Sequence, residues 1–225
     1  MLTVTEALKR RISTRVFLPT PLPKAVVYEI LDVARYAPSG GNTQPWKVIA
    51  LSGSALRDVI ALAQRAVAEG ASEEGEYPVY PPNLWEPYRT RRYILAEQMY
   101  ALLGIPRADK PARLAHVARN FEAFGAPVLL LFVTDRRFGH GQWAHLGMFM
   151  QSVALAALER GVASCMQESW ARVRATLHRH FALPAHEVIY AGIALGFADP
   201  DAAVNRLRSE RAPVEEFTTF LGFDS

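Results

Sequence analysis

Arginine and hydroxyl side chains are concentrated close to the amino terminus, in the stretch Arg10-Arg11-Ile12-Ser13-Thr14-Arg15. Three guanidinium groups and two hydroxyls within six residues provide the planar forks and O–H donors that bind a phosphate monoester. The simpler alternative is a solvated, positively charged helix end, which the helix dipole favours without any ligand. The stretch therefore predicts a phosphate site, and the surface interpretation stays open.

A second group of polar residues stands between a predicted helix and a predicted strand, in Pro38-Ser39-Gly40-Gly41-Asn42 followed by Gln44. The paired glycines permit positive φ and let the backbone approach a ligand closely, while the hydroxyl and amide side chains offer hydrogen bonds. A helix C-cap followed by a turn is the plain alternative, although it explains one glycine better than two. We interpret this stretch as a binding loop and keep the cap interpretation open.

A third cluster, Asn205-Arg206-Leu207-Arg208-Ser209-Glu210-Arg211, lies far along the chain from the first. It again combines guanidinium and hydroxyl groups that suit a phosphate. An exposed, charged tail is the alternative interpretation of this cluster. This cluster alone does not distinguish a phosphate site from an exposed tail, but it repeats the side-chain types of the amino-terminal stretch.

The sequence shows no recognisable acid–base or nucleophilic centre of its own. It has neither a phosphate loop ending in Gly-Lys-Ser/Thr nor the Rossmann glycine pattern, and no order of residues indicates a Ser/His/acid triad. The six histidines have no zinc-ligand spacing, so no metal site is predicted and each is interpreted as structural or surface. The single cysteine, Cys165, is interpreted as a small buried residue. An enzyme built in this way borrows its chemistry from a cofactor.

The composition favours a cytoplasmic globular protein of 225 residues, half of them hydrophobic, with a net charge of +3. One cysteine allows no disulfide within the chain, which fits a reducing compartment. There is no basic-then-apolar leader and no apolar run of about 20 residues, so we expect neither a signal peptide nor a membrane partner. Nucleic-acid binding is suggested only by the pI of about 9.1; because the arginines are better explained by phosphate sites, no nucleic-acid partner is expected.

The elements that must position these residues follow from hydrophobic periodicity. Thr3-Val4-Thr5-Glu6 has the spacing of a capping box and begins an amphipathic helix. Further helices are predicted between Pro23 and Pro38 and at residues 55–69, 92–103, 110–124, 143–160 and 171–181, and strands at residues 47–51, 126–134 and 188–197. Gly192 and Gly196 in the last strand would let a neighbour approach its backbone closely. Strands separated by more numerous helices predict a layered α/β domain.

Three segments suggest surfaces beyond this core. The predicted helix at residues 143–160 is apolar on most sides, which burial in a dimer interface would explain. Residues 70–92 are rich in proline and aromatic side chains and are expected to form an ordered excursion that covers something. Residues 199–225 form a polar tail that ends with Phe217, Phe220 and Phe223. These apolar residues suggest docking onto a surface, either of the same chain or of another subunit.

The three clusters form one spaced pattern along the chain: Arg10-Arg11-x-Ser13-x-Arg15-x-Phe17, then Ala37-Pro38-Ser39-Gly40-x-Asn42-x-Gln44-Pro45-Trp46, then Asn205-Arg206 with Arg211-x-Pro213. In this order they resemble the FMN-dependent nitroreductase family over essentially the whole chain. The segment Gly161-Val162-Ala163-Ser164-Cys165-Met166-Gln167-Glu168-Ser169-Trp170 is similar to the nitrobenzoate-reductase branch, which usually has proline where Met166 stands. Each motif alone would be weak, whereas the match at both ends and in the middle is specific.

The resemblance implies an α+β, three-layer α/β/α nitroreductase-like fold with a mixed, mostly antiparallel central sheet flanked by helices, in a single domain spanning residues 1–225. It implies a homodimer with two FMN sites at the interface, and a tail at residues 199–225 that reaches the partner subunit. It also implies an enzyme that takes hydride from NADPH or NADH. That hydride passes through flavin N5 to nitroaromatics, quinones or other electron-poor acceptors, with ping-pong kinetics.

The resemblance assigns the chemistry to FMN and gives binding roles to residues of this chain. Arg11 and Ser13 hold the phosphate with help from the tail arginines, Arg15 faces the pyrimidine edge of the flavin, and backbone donors near Glu168 and Ser169 point at N5. The loop of residues 38–42 reaches the FMN of the partner subunit. The implied FMN-binding residues are Arg11, Ile12, Ser13, Arg15, Pro38, Ser39, Gly40, Asn42, Gln44, Gln167, Glu168, Ser169, Arg208 and Arg211. No catalytic side chain, no metal ligand and no mid-chain ring contact is assigned.

Two features of the sequence leave alternatives open. Many relatives carry a small polar residue where Ile12 stands, and residues 77–93 fall in a variable region, so the acceptor is not fixed. One alternative is a reductive dehalogenase or flavin-fragmenting enzyme of the same superfamily. A second alternative, from another class, is a flavin-binding protein without turnover, which NADPH oxidation with and without an acceptor would distinguish.

Overall fold

The computed structural model describes residues 2–70 and 77–223. Its helices are α1 (Val4–Arg10), α2 (Lys24–Ala34), α3 (Gly53–Ala68), α4 (Tyr88–Leu102), α5 (Lys110–Ala118), α6 (Gly139–Glu159) and α7 (Arg174–His180). Its strands are β1 (Lys47–Ser52), β2 (Val128–Asp135), β3 (Ala163–Gln167) and β4 (Glu187–Gly196). Part of the predicted excursion, residues 71–76, and the last two residues of the predicted tail lie outside the described residues.

The strands form one sheet in the order β1-β2-β4-β3, and among the described strands every neighbouring pair is antiparallel. The side chains of a strand alternate between the two sides of a sheet. In the inner strand β2 seven of the eight residues are buried, so this strand is covered on both sides. One set of its side chains packs with α3 and α7, and the other packs with α2 and α6. Helices therefore cover both faces of the sheet, which confirms the α+β, three-layer prediction.

Local sequence signals account for several of these elements. The capping box that begins α1 is present: the Glu6 backbone N–H donates to Thr3 Oγ1 at 3.2 Å, and the Thr3 N–H donates to the Glu6 carboxylate at 2.8 Å. Close approach to the last strand is confirmed as well. A Cβ at Gly192 would lie 2.6 Å from the Trp170 ring, and one at Gly196 would lie 2.5 Å from Pro127.

Three predictions about the elements are wrong in part. The sequence predicts no strand at β3, which is short and carries polar residues but pairs with β4 through Cys165 and Ala194. The predicted helix at residues 110–124 stops at α5 and continues as 3-10 turns, Arg119–Gly125, in which Phe124 has φ of 53° and is buried. The predicted helix at residues 171–181 begins as a 3-10 turn, Glu168–Val173, before α7. In each case burial against the sheet outweighs the local pattern.

The helix α6 occupies the central position that its apolar sequence predicts. Its buried residues pack on the sheet and on α2 of the same chain, while Met148 keeps 45% of its surface exposed. The dimer-interface explanation for this helix stays a prediction. In the part of the chain that the structure describes, no helix has the length and apolar character needed to cross a bilayer.

Candidate functional site

The first and third arginine clusters meet at a cavity of about 370 Å³. Its lining residues come from the end of α1, the stretch that follows it, α4 and the tail: Leu8, Lys9, Arg11, Ile12, Ser13, Arg15, Leu95, Leu207, Arg208, Ser209 and Arg211. These lining residues include five cationic side chains and no carboxylate. Such a concentration of positive charge without an acid among the lining residues is typical of an anion site.

Arg11 is a half-buried cation of this cavity. Its Nε is buried, and within the described residues it has no hydrogen-bond partner. Burial and the nearby charge of Arg211 lower the pKa of the Arg11 guanidinium. These two guanidiniums lie near each other with no carboxylate among the lining residues of the cavity. An anion bound between them would accept a hydrogen bond from the unpartnered Nε–H and would reduce their repulsion.

Asn205 joins the two clusters that form this cavity. Its side-chain oxygen accepts hydrogen bonds from the backbone N–H of Arg15 at 2.9 Å and of Val16 at 3.3 Å. Its side-chain nitrogen donates to the carbonyls of Val16 and Asp199, at 2.8 and 3.0 Å. On the other side of this extended stretch, the Thr14 N–H donates to the Ser164 carbonyl of β3. The predicted phosphate-binding stretch is thus held between the tail and the sheet.

A larger cavity of about 620 Å³ adjoins the first, and Arg15 lines both. Its wall includes the end of β3 and the turn that follows, so the predicted residues Gln167, Glu168 and Ser169 are all present. The remaining wall was not predicted and comes from the excursion, α4, α5, the 3-10 turns, α6, β3 and β4: Val79, Tyr80, Arg92, Met99, His116, Val117, Asn120, Phe124, Gly147, Met150, Cys165, Met166, Arg172 and Tyr190. The two cavities together suit a ligand with a phosphate at one end and a broad, flat body at the other.

The Gln167 side chain fixes the shape of this wall. It is buried, and its Nε2 donates to the Asn120 carbonyl at 2.8 Å and to Asn120 Oδ1 at 3.3 Å. Its Oε1 accepts a hydrogen bond from Trp170 Nε1 at 3.2 Å. Because both ends of the amide are engaged by the protein, Gln167 positions the turn at Glu168 instead of presenting a free amide to a ligand.

Two titratable groups of the wall have pKa values moved by burial. Glu168 is the one carboxylate among the lining residues of the larger cavity, and partial burial of its carboxyl raises its pKa. His116 is buried, and burial together with the charges of Arg119 and Arg15 lowers its pKa to about 4. Its ring lies between those of Tyr100 and Phe124. The imidazole is therefore neutral at pH 7, in agreement with a structural interpretation of this histidine.

Cys165 lies behind the arginine cluster, in the wall of the larger cavity. It is buried and free, and burial raises the pKa of its thiol to about 11, although Arg15, Ser13 and Arg11 act in the opposite direction. A neutral, enclosed thiol at pH 7 fits the prediction of a small buried residue.

The glycine-containing loop lies apart from both cavities of its own chain. Its predicted binding residues are not among the lining residues of either cavity, namely Pro38, Ser39, Gly40, Asn42 and Gln44. The loop is nevertheless well defined: the Gln44 N–H donates to Ser39 Oγ at 2.9 Å, and Gly41 has φ of 59°. A Cβ at Gly40 would lie 3.1 Å from the His145 ring of α6. The structure thus brings together the first and third clusters within one chain, but not the second.

The fold is that of an α+β protein with a cation-lined cavity and a larger cavity that adjoin at Arg15. The chain belongs to the nitroreductase family, whose family model matches residues 8–197. A chloronitrobenzene nitroreductase of Comamonas testosteroni is 38% identical over 220 residues, which cover 97% of this chain and 96% of that protein. A 4-nitrobenzoate reductase of Pseudomonas putida is 36% identical, over 95% of this chain and 93% of that protein.

A solved structure shows the same fold over the whole chain. The FMN and NADPH-dependent nitroreductase NfnB of Sphigopyxis sp. strain HMH superposes with a TM-score of 0.95 at 39% identity, covering 99% of this chain and 100% of that one. The similarity confirms the fold and family that the three clusters predict.

Proposed function

We propose that this protein is an FMN-dependent oxidoreductase that uses NADPH, or NADH, to reduce nitroaromatics and related electron-poor acceptors. The observation that carries the proposal is the pair of cavities that adjoin at Arg15, one lined by cations without an acid and the other wide and largely apolar. Solved relatives named for FMN and NADPH share this fold along the whole chain. A bound flavin would supply the hydride chemistry for which the chain has no side chains of its own.

The residues of the smaller cavity fit the terminal phosphate of FMN. Arg11 offers a buried, unpartnered Nε, and Ser13 offers a hydroxyl. Arg211 lies near enough to lower the Arg11 pKa, and Arg208 completes the cationic wall. Arg11, Ser13, Arg208 and Arg211 would thus hold the phosphate.

The residues of the larger cavity would hold the flat part of the ligand. Arg15 stands at the junction, where its positive charge would favour electron density on the nearest ring edge. The turn at Glu168 and Ser169 borders the same space, and Gln167 fixes that turn through Asn120 and Trp170. These residues would orient the ring of a bound flavin, and the nicotinamide and then the acceptor would enter the same cavity.

We further propose that the active unit is a cytoplasmic homodimer and that the loop of residues 38–42 serves the FMN site of the partner subunit. The loop has an ordered conformation but contributes to neither cavity of its own chain. The tail end carries exposed apolar residues that a second subunit would cover: Phe217, Phe220, Leu221 and Phe223. The buried, free Cys165 supports a reducing compartment.

The visible spectrum of the purified protein tests the proposal most directly. We expect a yellow protein that releases FMN, not FAD, on denaturation, and that oxidises NADPH much faster when nitrobenzene is present. A colourless protein that cannot be reconstituted with FMN would contradict the proposal. A yellow protein without acceptor-dependent NADPH oxidation would instead indicate flavin binding without turnover.

A further inference from the structure

The first turns of α4 carry three arginines in different electrostatic situations. Arg89 pairs with Glu86 at 2.7 Å, and Arg91 pairs with Glu216 of the tail at 2.6 Å. In residues 2–70 and 77–223, Arg92 has no carboxylate partner within ion-pair distance. Of these three arginines, Arg92 is therefore the one whose guanidinium has no acidic partner among the described residues.

Arg92 is held in place by an aromatic ring and not by an acid. Its guanidinium carbon lies 4.1 Å from the centre of the Tyr80 ring. Stacking of this kind orients the planar guanidinium while leaving its edge N–H groups free to donate. Tyr80 keeps half of its residue surface exposed and lines the cavity, so its side chain also offers an aromatic surface to a ligand.

This pair lies in the wall of the larger cavity. Tyr80 and Arg92 both line it, whereas Arg89 and Arg91 do not. The other arginines of that wall are Arg172 and Arg15, the second of which also lines the smaller cavity. Glu168 is the one carboxylate among the lining residues, so the charges of the lining are mainly positive. At Tyr80 and Arg92 the cavity wall therefore combines an aromatic surface with a guanidinium fork that has no acidic partner among the described residues.

We propose that Arg92, stacked on Tyr80, binds an anionic substituent of the aromatic acceptor, so that the enzyme prefers nitroaromatic carboxylates to uncharged nitroarenes. The inference rests on the proposed function, because the acceptor must enter this cavity to be reduced. A carboxylate on a benzene ring matches both parts of the pair: the ring packs near Tyr80, and the carboxylate accepts from the guanidinium edge. A phosphate of NADPH has the same anionic oxygen chemistry, so the experiment separates these two sources.

The test compares two acceptors that differ in charge, 4-nitrobenzoate and nitrobenzene, on the FMN-loaded enzyme. For Arg92→Met we expect kcat/KM for 4-nitrobenzoate to fall about tenfold, the scale of a partly exposed charge-assisted contact, and kcat/KM for nitrobenzene to change less than twofold. Arg89→Met is the matched control, since it removes the same charge three residues earlier from a side chain outside the cavity. Arg89→Met should change kcat/KM for neither acceptor by more than twofold.

A binding measurement complements the kinetics. Benzoate and benzamide, which carry no nitro group, are titrated into the oxidised holoenzyme while the flavin absorbance is followed. Arg92→Met should weaken the binding of benzoate about tenfold and leave the binding of benzamide unchanged. Arg92→Lys keeps the charge but not the planar guanidinium fork, so its affinity for benzoate should lie between those of the wild type and Arg92→Met. The benzoate advantage of the wild type should shrink as salt is raised.

Two outcomes would overturn the inference. Equal losses of kcat/KM for 4-nitrobenzoate and nitrobenzene in Arg92→Met would mean that Arg92 does not bind the anionic substituent of the acceptor. A fall in kcat/KM for NADPH but not for NADH, with kcat/KM for both acceptors unchanged, would assign Arg92 to the nucleotide phosphate. Failure of the proposed function is distinct from both, because the wild-type enzyme would then oxidise NADPH with neither acceptor.

Discussion

The side-chain oxygen of Asn205 accepts a hydrogen bond from the backbone N–H of Arg15 at 2.9 Å, across 190 residues of chain. This contact, with the Asn205 bonds to Val16 and Asp199, joins the carboxyl-terminal arginines to the amino-terminal ones. The phosphate cavity consequently exists only when the tail is in place. Asn205 therefore acts as a positioning residue for the arginines of both clusters.

The first prediction concerns this contact. Asn205→Ala leaves partly buried backbone groups of Arg15 and Val16 without their side-chain partner, and we expect the free energy of unfolding to fall by about 1–3 kcal/mol. FMN affinity should fall at least about tenfold, because Arg208 and Arg211 are no longer held over the phosphate site. Urea unfolding and titration of the quenching of flavin fluorescence measure the two effects. Asn83→Ala, at an exposed position, is the control; wild-type FMN affinity in Asn205→Ala would refute the positioning role.

A second prediction separates two adjacent arginines. Arg11 lines the phosphate cavity with a buried Nε, whereas Arg10 ends α1 and is not among the lining residues. Arg11→Ala should weaken FMN binding about ten- to a hundredfold, the range of a lost charge-assisted contact. Arg10→Ala should change the dissociation constant less than about threefold, as expected for an exposed charge. Equal effects of the two substitutions in a fluorescence titration would disprove the assignment of Arg11.

The third prediction follows from the neutral state of His116. Burial, Arg119 and Arg15 lower its pKa in the folded protein to about 4, from 6.5. The His116 imidazole of the unfolded chain takes up a proton below about pH 6.5, whereas that of the folded protein does so only near pH 4. The contribution of neutral His116 to the free energy of unfolding is therefore fully present above about pH 6.5 and is lost as the pH falls toward 4. We expect this residue to cost about 1–3 kcal/mol of stability between pH 7 and pH 4.

Urea unfolding of wild type and His116→Phe across that pH range measures this effect. The variant removes the titrating group but keeps an aromatic ring between Tyr100 and Phe124, so its stability should depend less steeply on pH. His180→Phe, at an exposed position near the end of α7, is the matched control and should follow the wild type. Parallel curves for His116→Phe and wild type would show that His116 is not the group that titrates.

Much of the lining of the smaller cavity could be predicted from the sequence, because its guanidinium and hydroxyl side chains are concentrated in short stretches. Ser13 and Arg15 lie within a few residues of Arg11, and the tail repeats the same side-chain types near Arg211. The strand β2 and the capping box of α1 are local signals of the same kind. The structure adds the long-range contact through Asn205 that turns two clusters into one cavity.

The wall of the larger cavity could not be predicted in this way. Tyr80 and Arg92 come from the excursion and α4, and His116 and Asn120 from α5 and the 3-10 turns after it. No spacing in the sequence links these residues, since they meet only through tertiary packing. The strand β3 was missed for a similar reason, because its pairing with β4 is long-range and its own five residues carry little alternation.

The last prediction concerns the loop of residues 38–42 and tests whether it serves the partner subunit. A Gly40→Val chain places bulk where backbone should approach the flavin ring and also crowds His145, whose ring lies 3.1 Å from a Cβ at this position. An Arg11→Ala chain has a damaged phosphate site and an intact loop. Each homodimer should be nearly inactive in NADPH-driven reduction of nitrobenzene.

Mixed dimers of these two chains distinguish the two arrangements. If the loop acts in trans, one FMN site combines both defects and the other combines an intact arginine cluster with an intact loop, so about half of the wild-type activity per dimer should return. If the loop acts on its own chain, both sites carry one defect and no activity returns. Co-expression with two different tags, isolation of the mixed species and confirmation of its composition by mass allow this assay. An inactive heterodimer would show that the loop does not serve the partner, even if the protein binds FMN as proposed.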